Sequence, residues 1–327
     1  MSNIDNMFLN AVQKNQKAVV MTFLKKGGID VNKRDALGYT SLYYACEKGS
    51  KDIVKLLLEH EADCTMPSND SKTPLHAATK TGNKEIMKLL LEEGSDIDAM
   101  DSKSKTPLIY LVENGKTESA LFLIEQGADT TITDDDGHTS LDYATAKGLK
   151  LLVERLMVTN SITQTDQYGN SLLHQACDQS NVEVVKTLLS NPDTNVNGVN
   201  DASETPLLVA VANGNLALTE LLIKHEADVN ASLDTGTTSL HIAALHNYLE
   251  IAKVLIKNQA DVNKKTENGS TPLIFAAKKG RNDLTAYLIE SKVEVNDMDN
   301  LGNSALYYAS EGGYNEIVEQ LLMAGAE

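Results

Sequence analysis

Two short stretches of the chain have residue types that could bind phosphate or a divalent cation. The run Gly-Lys-Thr at 115–117 matches the end of a phosphate-binding loop, but that loop needs a glycine five residues before Gly115, where this chain has Tyr110. The run Asp-Asp-Asp-Gly at 134–137 has the carboxylates of a calcium loop. In that register, however, the first ligand would be Ile132 and the twelfth would be Tyr143. We therefore interpret 115–117 as a helix end with an exposed lysine and 134–137 as a turn.

Three histidines, His76, His174 and His241, are the remaining candidates for chemistry. They occupy one position of the sequence period described below, so they lie at least two layers apart, roughly 20 Å on helix-packing distances. That separation excludes a shared metal site or a catalytic dyad, and no serine, cysteine or carboxylate is marked as a nucleophile beside a base. We expect the histidines to form hydrogen bonds within their repeats. The sequence predicts no catalytic, cofactor-binding or metal site and no enzyme activity.

Composition limits the partners and the compartment. The 327 residues have a formal net charge of −17, which repels nucleic acid phosphates and anionic bilayers. No run approaches the roughly 20 apolar residues of a membrane span, and the first residues lack the basic and apolar segments of a signal peptide. Of the three cysteines, Cys46 and Cys177 lie four layers apart, too far for a disulfide, and Cys64 lies near a turn. We expect reduced thiols and a cytoplasmic location.

A period of about 33 residues runs along the whole chain. Eight successive steps between equivalent leucines measure 33, 33, 33, 32, 34, 33, 33 and 33 residues. These marker leucines are Leu42, Leu75, Leu108, Leu141, Leu173, Leu207, Leu240, Leu273 and Leu306. Carrying the frame back one step gives ten repeats with an abbreviated first one, and leaves no long segment for another domain.

Each repeat predicts two helices. Thr73, Thr205 and Thr271 can each cap a helix whose first residue is proline, and a glycine seven residues after the marker leucine ends it. A second apolar run with i, i+3, i+4 spacing follows, as at 251–256. The repeat closes with Asp-Val-Asn and a turn rich in Asp and Gly. We interpret the recurring asparagines as turn residues bonded to the backbone. They are Asn32, Asn197, Asn230, Asn263 and Asn296.

Such a repeat, with Lys-Thr-Pro-Leu-His-Ala-Ala at 72–78 and Ala-Asp-Val-Asn at 227–230, resembles the ankyrin repeat. The resemblance covers essentially the entire chain. It implies an all-α solenoid of stacked antiparallel helix pairs with projecting β-hairpin turns, and a concave groove formed by the turns and the first helices. It also implies that the chain binds protein rather than catalyses a reaction.

Departures from the period divide the predicted single domain of residues 1–327. We expect an N-terminal capping unit at 1–33, repeats two to five at 34–157, an irregular junction at 158–165 and repeats six to ten at 166–327. The junction is either a bend or a repaired insertion and deletion. Apolar residues of the capping helix form one stripe, and those of the last helix leave an apolar face. The stripe comprises Ile4, Met7, Phe8, Ala11 and Val12, and the face comprises Ile317, Val318, Leu321, Leu322 and Met323. We expect a monomer unless that face pairs.

Partner contacts, by the family resemblance, fall on one turn position and on two positions before the glycine that ends the first helix. Lysines at these positions make repeats two to four locally basic, which predicts an acidic partner segment with Tyr39 as an aromatic anchor. The alternative is a solvated face with no selected partner. A smaller candidate lies near Leu245. The candidate residues are Tyr39, Lys48, Lys72, Lys80, Lys105, His138, Lys147, Leu245, His246 and Tyr248.

The sequence thus predicts a non-catalytic protein-interaction module, acting as a scaffold, an adaptor or an inhibitor. Two alternatives stay open: a regulatory subunit of an enzyme, and an effector directed at a host protein. Neither differs from the first in any sequence feature.

Overall fold

The computed structural model describes residues 3–160 and 162–327, and the regular secondary structure over these residues is α-helical. Ten successive helix pairs are present in this part of the chain, which confirms the predicted all-α class. The pairs divide into two compact units, Met1–Ser161 and Ile162–Glu327. No helix of the described residues has the length and apolar content needed to cross a membrane.

The helices are short, and most have seven to nine residues. Those of the first unit are α1 (Asn3–Gln13), α2 (Lys17–Lys26), α3 (Ser41–Glu47), α4 (Lys51–Leu58), α5 (Pro74–Ala78), α6 (Lys84–Glu92), α7 (Pro107–Glu113), α8 (Thr117–Glu125), α9 (Ser140–Ala146) and α10 (Lys150–Leu156). Those of the second unit are α11 (Leu172–Asp178), α12 (Val182–Leu189), α13 (Pro206–Ala212), α14 (Leu216–Lys224), α15 (Ser239–His246), α16 (Leu249–Lys257), α17 (Pro272–Lys278), α18 (Asn282–Glu290), α19 (Ala305–Glu311) and α20 (Asn315–Met323).

Within each unit the helices stack in two layers. The first helix of a pair packs on its partner and on the first helix of the next pair, as α3 does on α5 and α15 on α17. Second helices stack likewise, as in α16 on α18. The marker leucines of repeats two to nine lie between the layers and are at most 2% exposed, so the 33-residue frame marks the core. The last marker, Leu306, is half-buried.

The first helices begin where the sequence predicted. The hydroxyls of Thr205 and Thr271 each accept a backbone N–H three residues ahead at 3.3 Å, and a proline follows each cap. Thr73 also caps its helix, and its own N–H donates to Nδ1 of His76 at 3.1 Å. A repeated Thr-Pro step therefore sets the start of the first helix in these repeats.

The first helices end in a left-handed residue. The predicted glycines, from Gly49 to Gly313, have φ between 66° and 71°. In two repeats that lack the glycine, Ser180 and Asn247 adopt the same conformation, with φ of 56° and 63°. The turn geometry is thus kept even where a side chain makes it unfavourable.

Each of the three histidines joins two consecutive repeats. Nδ1 of His241 lies 2.8 Å from the hydroxyl of Thr238, and Nε2 lies 3.2 Å from the carbonyl oxygen of Ser270 in the next repeat. His76 and His174 make the equivalent contacts to Lys105 and Glu204. Hydrogen bonding is confirmed, and it extends beyond the single repeat that we expected.

The recurring asparagines make a second kind of link between repeats. Nδ2 of Asn230 donates to the carbonyl oxygen of Gln259 at 3.1 Å, and Oδ1 accepts the N–H of Asp261 at 2.7 Å. Asn32 and Asn197 bond in the same way to the residues 29 and 31 positions ahead. The predicted backbone-bonded role of these asparagines is confirmed.

The capping helix buries most of its predicted apolar stripe, and the last helix exposes part of its predicted apolar face. Phe8, Ala11 and Val12 are at most 3% exposed, but Met7 is 55% exposed because it lies at the margin of the buried stripe of α1. In α20, Leu322 and Met323 are exposed, at 54% and 90%, as predicted for an open apolar face. Ile317 and Leu321 of that predicted face are instead buried, at 1% and 0%, because α20 packs on α18 and α19.

Repeat five keeps the cap of its first helix, although it lacks the histidine that occupies this position in repeats three, six and eight. Asp142 replaces the usual histidine, and its carboxylate accepts the N–H and the hydroxyl of Thr139 at 2.8 and 2.7 Å. At the irregular segment 158–165, the hydroxyl of Thr159 bonds to that of Thr130, while Ser161 lies outside the described residues.

The three cysteines are buried and unpaired, as expected.

Candidate partner-binding groove

Repeats two to four form an open groove of about 430 Å³ beside their first helices. We name it the tyrosine–lysine groove. Its lining includes Tyr43, Glu47, Lys72, Lys80, Tyr110 and Asn114. Of the residues predicted for partner binding, the structure therefore brings Lys72 and Lys80 together here.

Tyr39, the predicted anchor, belongs to an aromatic cluster beside this groove. Its ring stacks on Tyr43 with centroids 4.2 Å apart and meets Tyr44 edge-on at 5.7 Å. Tyr43 is buried and Tyr39 is half-buried. A side chain held on two sides loses little freedom on binding, so the exposed part of Tyr39 offers a rigid contact.

A hydrogen bond from tyrosine to aspartate fixes the rings of the groove. The hydroxyl of Tyr110 donates to Oδ2 of Asp101 at 2.7 Å, while Oδ1 of Asp101 accepts the N–H groups of Lys103 and Lys105. In three other repeats, the hydroxyl of a tyrosine donates an equivalent bond to the turn aspartate nine residues before it, at 2.6 to 2.7 Å. The sequence pattern Asp-x8-Tyr could have indicated this pair, but only the structure reveals the bond.

Titration of the pair reflects both burial and hydrogen bonding. Burial and the hydrogen bond to Asp101 raise the pKa of Tyr110. Burial favours the protonated form of Asp101, but the bonds from Tyr110 and two backbone N–H groups outweigh it and lower the pKa of this carboxyl. The pair is therefore a neutral phenol donating to a carboxylate at neutral pH.

Lys72 is the lysine of the groove that is held by an aromatic ring without a carboxylate in contact. Its Nζ lies 5.0 Å from the centroid of the Tyr110 ring, in cation–π contact. Lys80 pairs with Glu47 at 2.8 Å and remains 67% exposed. These two lysines thus differ in how much of their charge the chain already neutralises.

Lys105 lies largely inside the protein. Its Nζ pairs with Glu113 at 2.9 Å and lies 4.9 Å from the Tyr143 ring, and the side chain is only 14% exposed. Burial lowers and the bonds to Glu113 and Tyr143 raise the pKa of this lysine, with a net rise. A partner would reach Lys105 only by displacing Glu113.

The other predicted residues of the first unit lie outside the lining of this groove. Lys48 and Lys147 are exposed. His138 is half-buried, with its ring edge-on to Tyr143 at 5.8 Å and Nδ1 3.9 Å from Asp134.

Asp134, Asp136 and His138 lie close enough to share a cation, with one ligand atom from each within 4.8 Å of the others. Both carboxylate oxygens of Asp134 are nevertheless engaged. Oδ1 accepts the N–H groups of Asp136 and His138, and Oδ2 accepts the hydroxyl of Tyr143. These bonds close the turn that the sequence predicted.

The residues of the smaller candidate binding site, around Leu245, do not all lie in a groove. Leu245 is half-buried and lines a second groove, in repeats eight and nine. His246 stacks on Tyr248, with centroids 5.5 Å apart, and Tyr248 covers Gly214 of the preceding repeat. Tyr248 therefore packs between repeats.

Comparison with known proteins gives partial matches to several relatives. BCL-6 corepressor-like protein 1 of Homo sapiens is 39% identical over 71 residues, which are 22% of this chain and 4% of the relative. Putative ankyrin repeat protein FPV222 of Fowlpox virus is 41% identical over 70 residues, 21% of this chain and 9% of the relative. BTB/POZ domain and ankyrin repeat-containing protein NH5.2 of Oryza sativa subsp. japonica is 42% identical over 66 residues, 20% of this chain and 13% of the relative.

The matched segments thus span a small part of each of these relatives. The family model described as ankyrin repeats, in contrast, matches overlapping segments that together cover this chain from residue 8 to residue 327. These are 8–101, 66–134, 83–166, 108–200, 173–266 and 258–327. The chain belongs to the ankyrin-repeat family, whose repeats form a non-enzymatic fold for protein–protein interaction.

Proposed function

We propose that this chain is a non-catalytic scaffold, adaptor or inhibitor that binds an acidic segment of a protein partner in the tyrosine–lysine groove. The observation that carries the proposal is the position of Lys72. Its ammonium group lies over the Tyr110 ring, and Lys72 lines the groove together with Lys80. A partner carboxylate can pair with Lys72 without displacing any carboxylate of this chain.

Charge and rigidity both favour this groove. The first unit has 19 basic and 24 acidic residues, a net charge of −5, whereas the second unit has 10 basic and 22 acidic residues, a net charge of −12. An acidic segment is therefore repelled less by the first unit. The Tyr110 ring below Lys72 is fixed by Asp101, so the lysine loses less freedom on pairing than a free surface lysine would.

Selection from a randomised peptide library displayed on phage, with the full chain immobilised, tests the proposal. We expect enrichment of Asp and Glu in the selected peptides. Lys72→Glu should weaken their binding by about tenfold, because it replaces an attraction with a repulsion. Lys88→Glu is the matched control, since Lys88 is an exposed lysine on the second helix of the same repeat and pairs there with Glu92. Peptides that bind Lys72→Glu as tightly as the unchanged chain would refute the proposal.

A further inference from the structure

The second groove, in repeats eight and nine of the second unit, has a different chemistry. We name it the hydroxyl–apolar groove. Its volume is about 440 Å³, and its lining includes Thr237, Leu245, Ile274, Phe275, Lys278 and Lys279. The turns contribute to the lining the hydroxyl side chains of Thr235, Thr237, Thr266 and Ser270 and the amide of Asn268.

The apolar part of this groove is rigid. The ring of Phe275 lies edge-on to the ring of His241, with centroids 5.2 Å apart. His241 is fully buried and is itself held by hydrogen bonds to Thr238 and Ser270. Phe275 and Leu245 are both half-buried and so present apolar surface to the groove. An apolar side chain entering here would gain area without reordering the protein.

Two adjacent lysines give the groove a positive charge that no ion pair of the described residues neutralises. Lys278 and Lys279 are exposed, and in the part of the chain that the structure describes neither forms an ion pair. Nζ of Lys278 lies 4.5 Å from the centroid of the Tyr308 ring. Elsewhere in this unit Lys253 pairs with Glu250 and Lys265 with Asp297. Asp299, which accepts the Tyr308 hydroxyl, interacts electrostatically with Lys278 and partly compensates its charge, whereas the described residues include no ion pair of Lys279.

We propose that the hydroxyl–apolar groove is a second docking site, for a protein segment that has an apolar side chain next to one or more carboxylates. The apolar side chain would lie against Leu245 and Phe275, and the carboxylates would pair with Lys278 and Lys279. The inference rests on the proposed function in one respect, namely that the chain binds protein segments. The second site consists of other residues, in the other unit, so the proposal for either groove can be refuted while the other stands.

The charge of the lysines decides between this occupant and others. A wholly apolar segment would offer no carboxylate to either ammonium group, and a basic segment would be repelled by both. An acidic segment without an apolar residue would leave the surface of Phe275 and Leu245 exposed to water. Only the mixed segment satisfies both parts of the groove.

The binding of peptides from the library selection to the full chain and to its variants tests this site. We expect a class of peptides with an apolar residue beside Asp or Glu. The double variant Lys278→Glu, Lys279→Glu should weaken this class by at least about tenfold. The matched control is Lys253→Glu, Lys257→Glu, which changes the charge equally on α16 of the same unit. Thr237→Arg, a substitution at a turn surface, should also block binding by filling the groove from the turn side.

The outcomes separate the two grooves. The second site is supported if peptides of this class no longer bind the Lys278→Glu, Lys279→Glu variant but bind Lys72→Glu fully. This conclusion does not depend on the result for the first groove. Peptides that respond only to Lys72→Glu would overturn the second site and leave the first intact. Self-association of the unchanged chain that Thr237→Arg abolishes would also overturn it, because a second copy would then occupy the groove. Equal binding by all variants would refute both sites.

Discussion

Tyr248 lies over Gly214 of the preceding repeat so closely that a Cβ atom on the glycine would lie 2.8 Å from Cζ of the ring. Gly214 also has a φ of 66°, which side chains rarely adopt. Tyr314 covers Gly280 in the same way two repeats later. A tyrosine at the start of one second helix thus uses the space left by a glycine of the repeat before.

Replacing Gly214 with alanine should therefore destabilise the chain by about 2 to 3 kcal/mol, through backbone strain and the contact with Tyr248. Gly115→Ala is the control, because Gly115 has the same φ of 66° and no atom within 4 Å of the added Cβ. It should cost only about 1 kcal/mol. Urea unfolding followed by circular dichroism measures both. Equal losses would show that the tyrosine ring moves aside freely.

Some left-handed positions are occupied by residues other than glycine, and they offer stabilising substitutions. Gln259 has a φ of 69°, and Lys292 has a φ of 62°. Gln259→Gly or Lys292→Gly should each stabilise by about 0.5 kcal/mol, since relief of the left-handed strain exceeds the extra entropy of an unfolded glycine. Gln259→Ala keeps the strain and should give no gain. A lower urea midpoint for both glycine variants would contradict this expectation.

The chain should lose stability as the pH falls below about 6.5, in part because of His241. Burial lowers the pKa of this histidine from 6.5 to about 4, despite its bond to the Ser270 carbonyl. Above pH 6.5 the imidazole is neutral in both states and its contribution is complete. Between about pH 6.5 and 4 the unfolded chain binds a proton that the folded chain does not, so stability falls by up to about 3 kcal/mol.

Urea midpoints measured across this pH range check the expectation. His241→Gln should reduce the slope of stability against pH between 4 and 6.5. His246→Gln, a change at an exposed histidine, is the control. An unchanged slope in His241→Gln would mean that other groups, such as the similarly buried His76 and His174, account for the loss.

Removing the hydroxyl of Tyr110 should destabilise the first unit but spare the groove. Tyr110→Phe leaves Oδ2 of the buried Asp101 without its donor, which costs about 1 to 2 kcal/mol. Tyr287→Phe is the control, because Tyr287 is a half-buried tyrosine for which the structure shows no hydroxyl bond. The aromatic ring below Lys72 remains in Tyr110→Phe, so peptide binding there should change less than threefold. Calorimetric titration with a selected peptide measures this binding, and a larger loss would assign the hydroxyl a direct role.

The repeat, its caps and its core could be predicted from the sequence because each depends on local spacing. Thr205 before Pro206 starts a helix whatever its neighbours are, and the buried Leu207 follows from the period. The sequence predicted that the histidines form hydrogen bonds, but not that these bonds extend to the next repeat. That Nε2 of His174 would contact Glu204, 30 residues ahead, depends on how repeats stack.

The states of individual lysines could not be predicted in this way. Lys105 was expected on an open face, but its long side chain bends to Glu113, eight residues ahead, and is mostly buried. The sequence does not distinguish Lys278 and Lys279 from other lysines, because what distinguishes them is that neither forms an ion pair within the described residues. Such a lack depends on every neighbouring side chain and has no signature in the period itself.

The asparagine and histidine bonds described above all run from one repeat to the next one only. Their partners in the next repeat are backbone atoms, so a duplicated repeat that carries the asparagine and the histidine would find the same partners in the repeat that follows it. The same hydrogen bonds can therefore join any two consecutive repeats of this kind. An array can then gain or lose repeats by gene duplication while the residues of its grooves change independently.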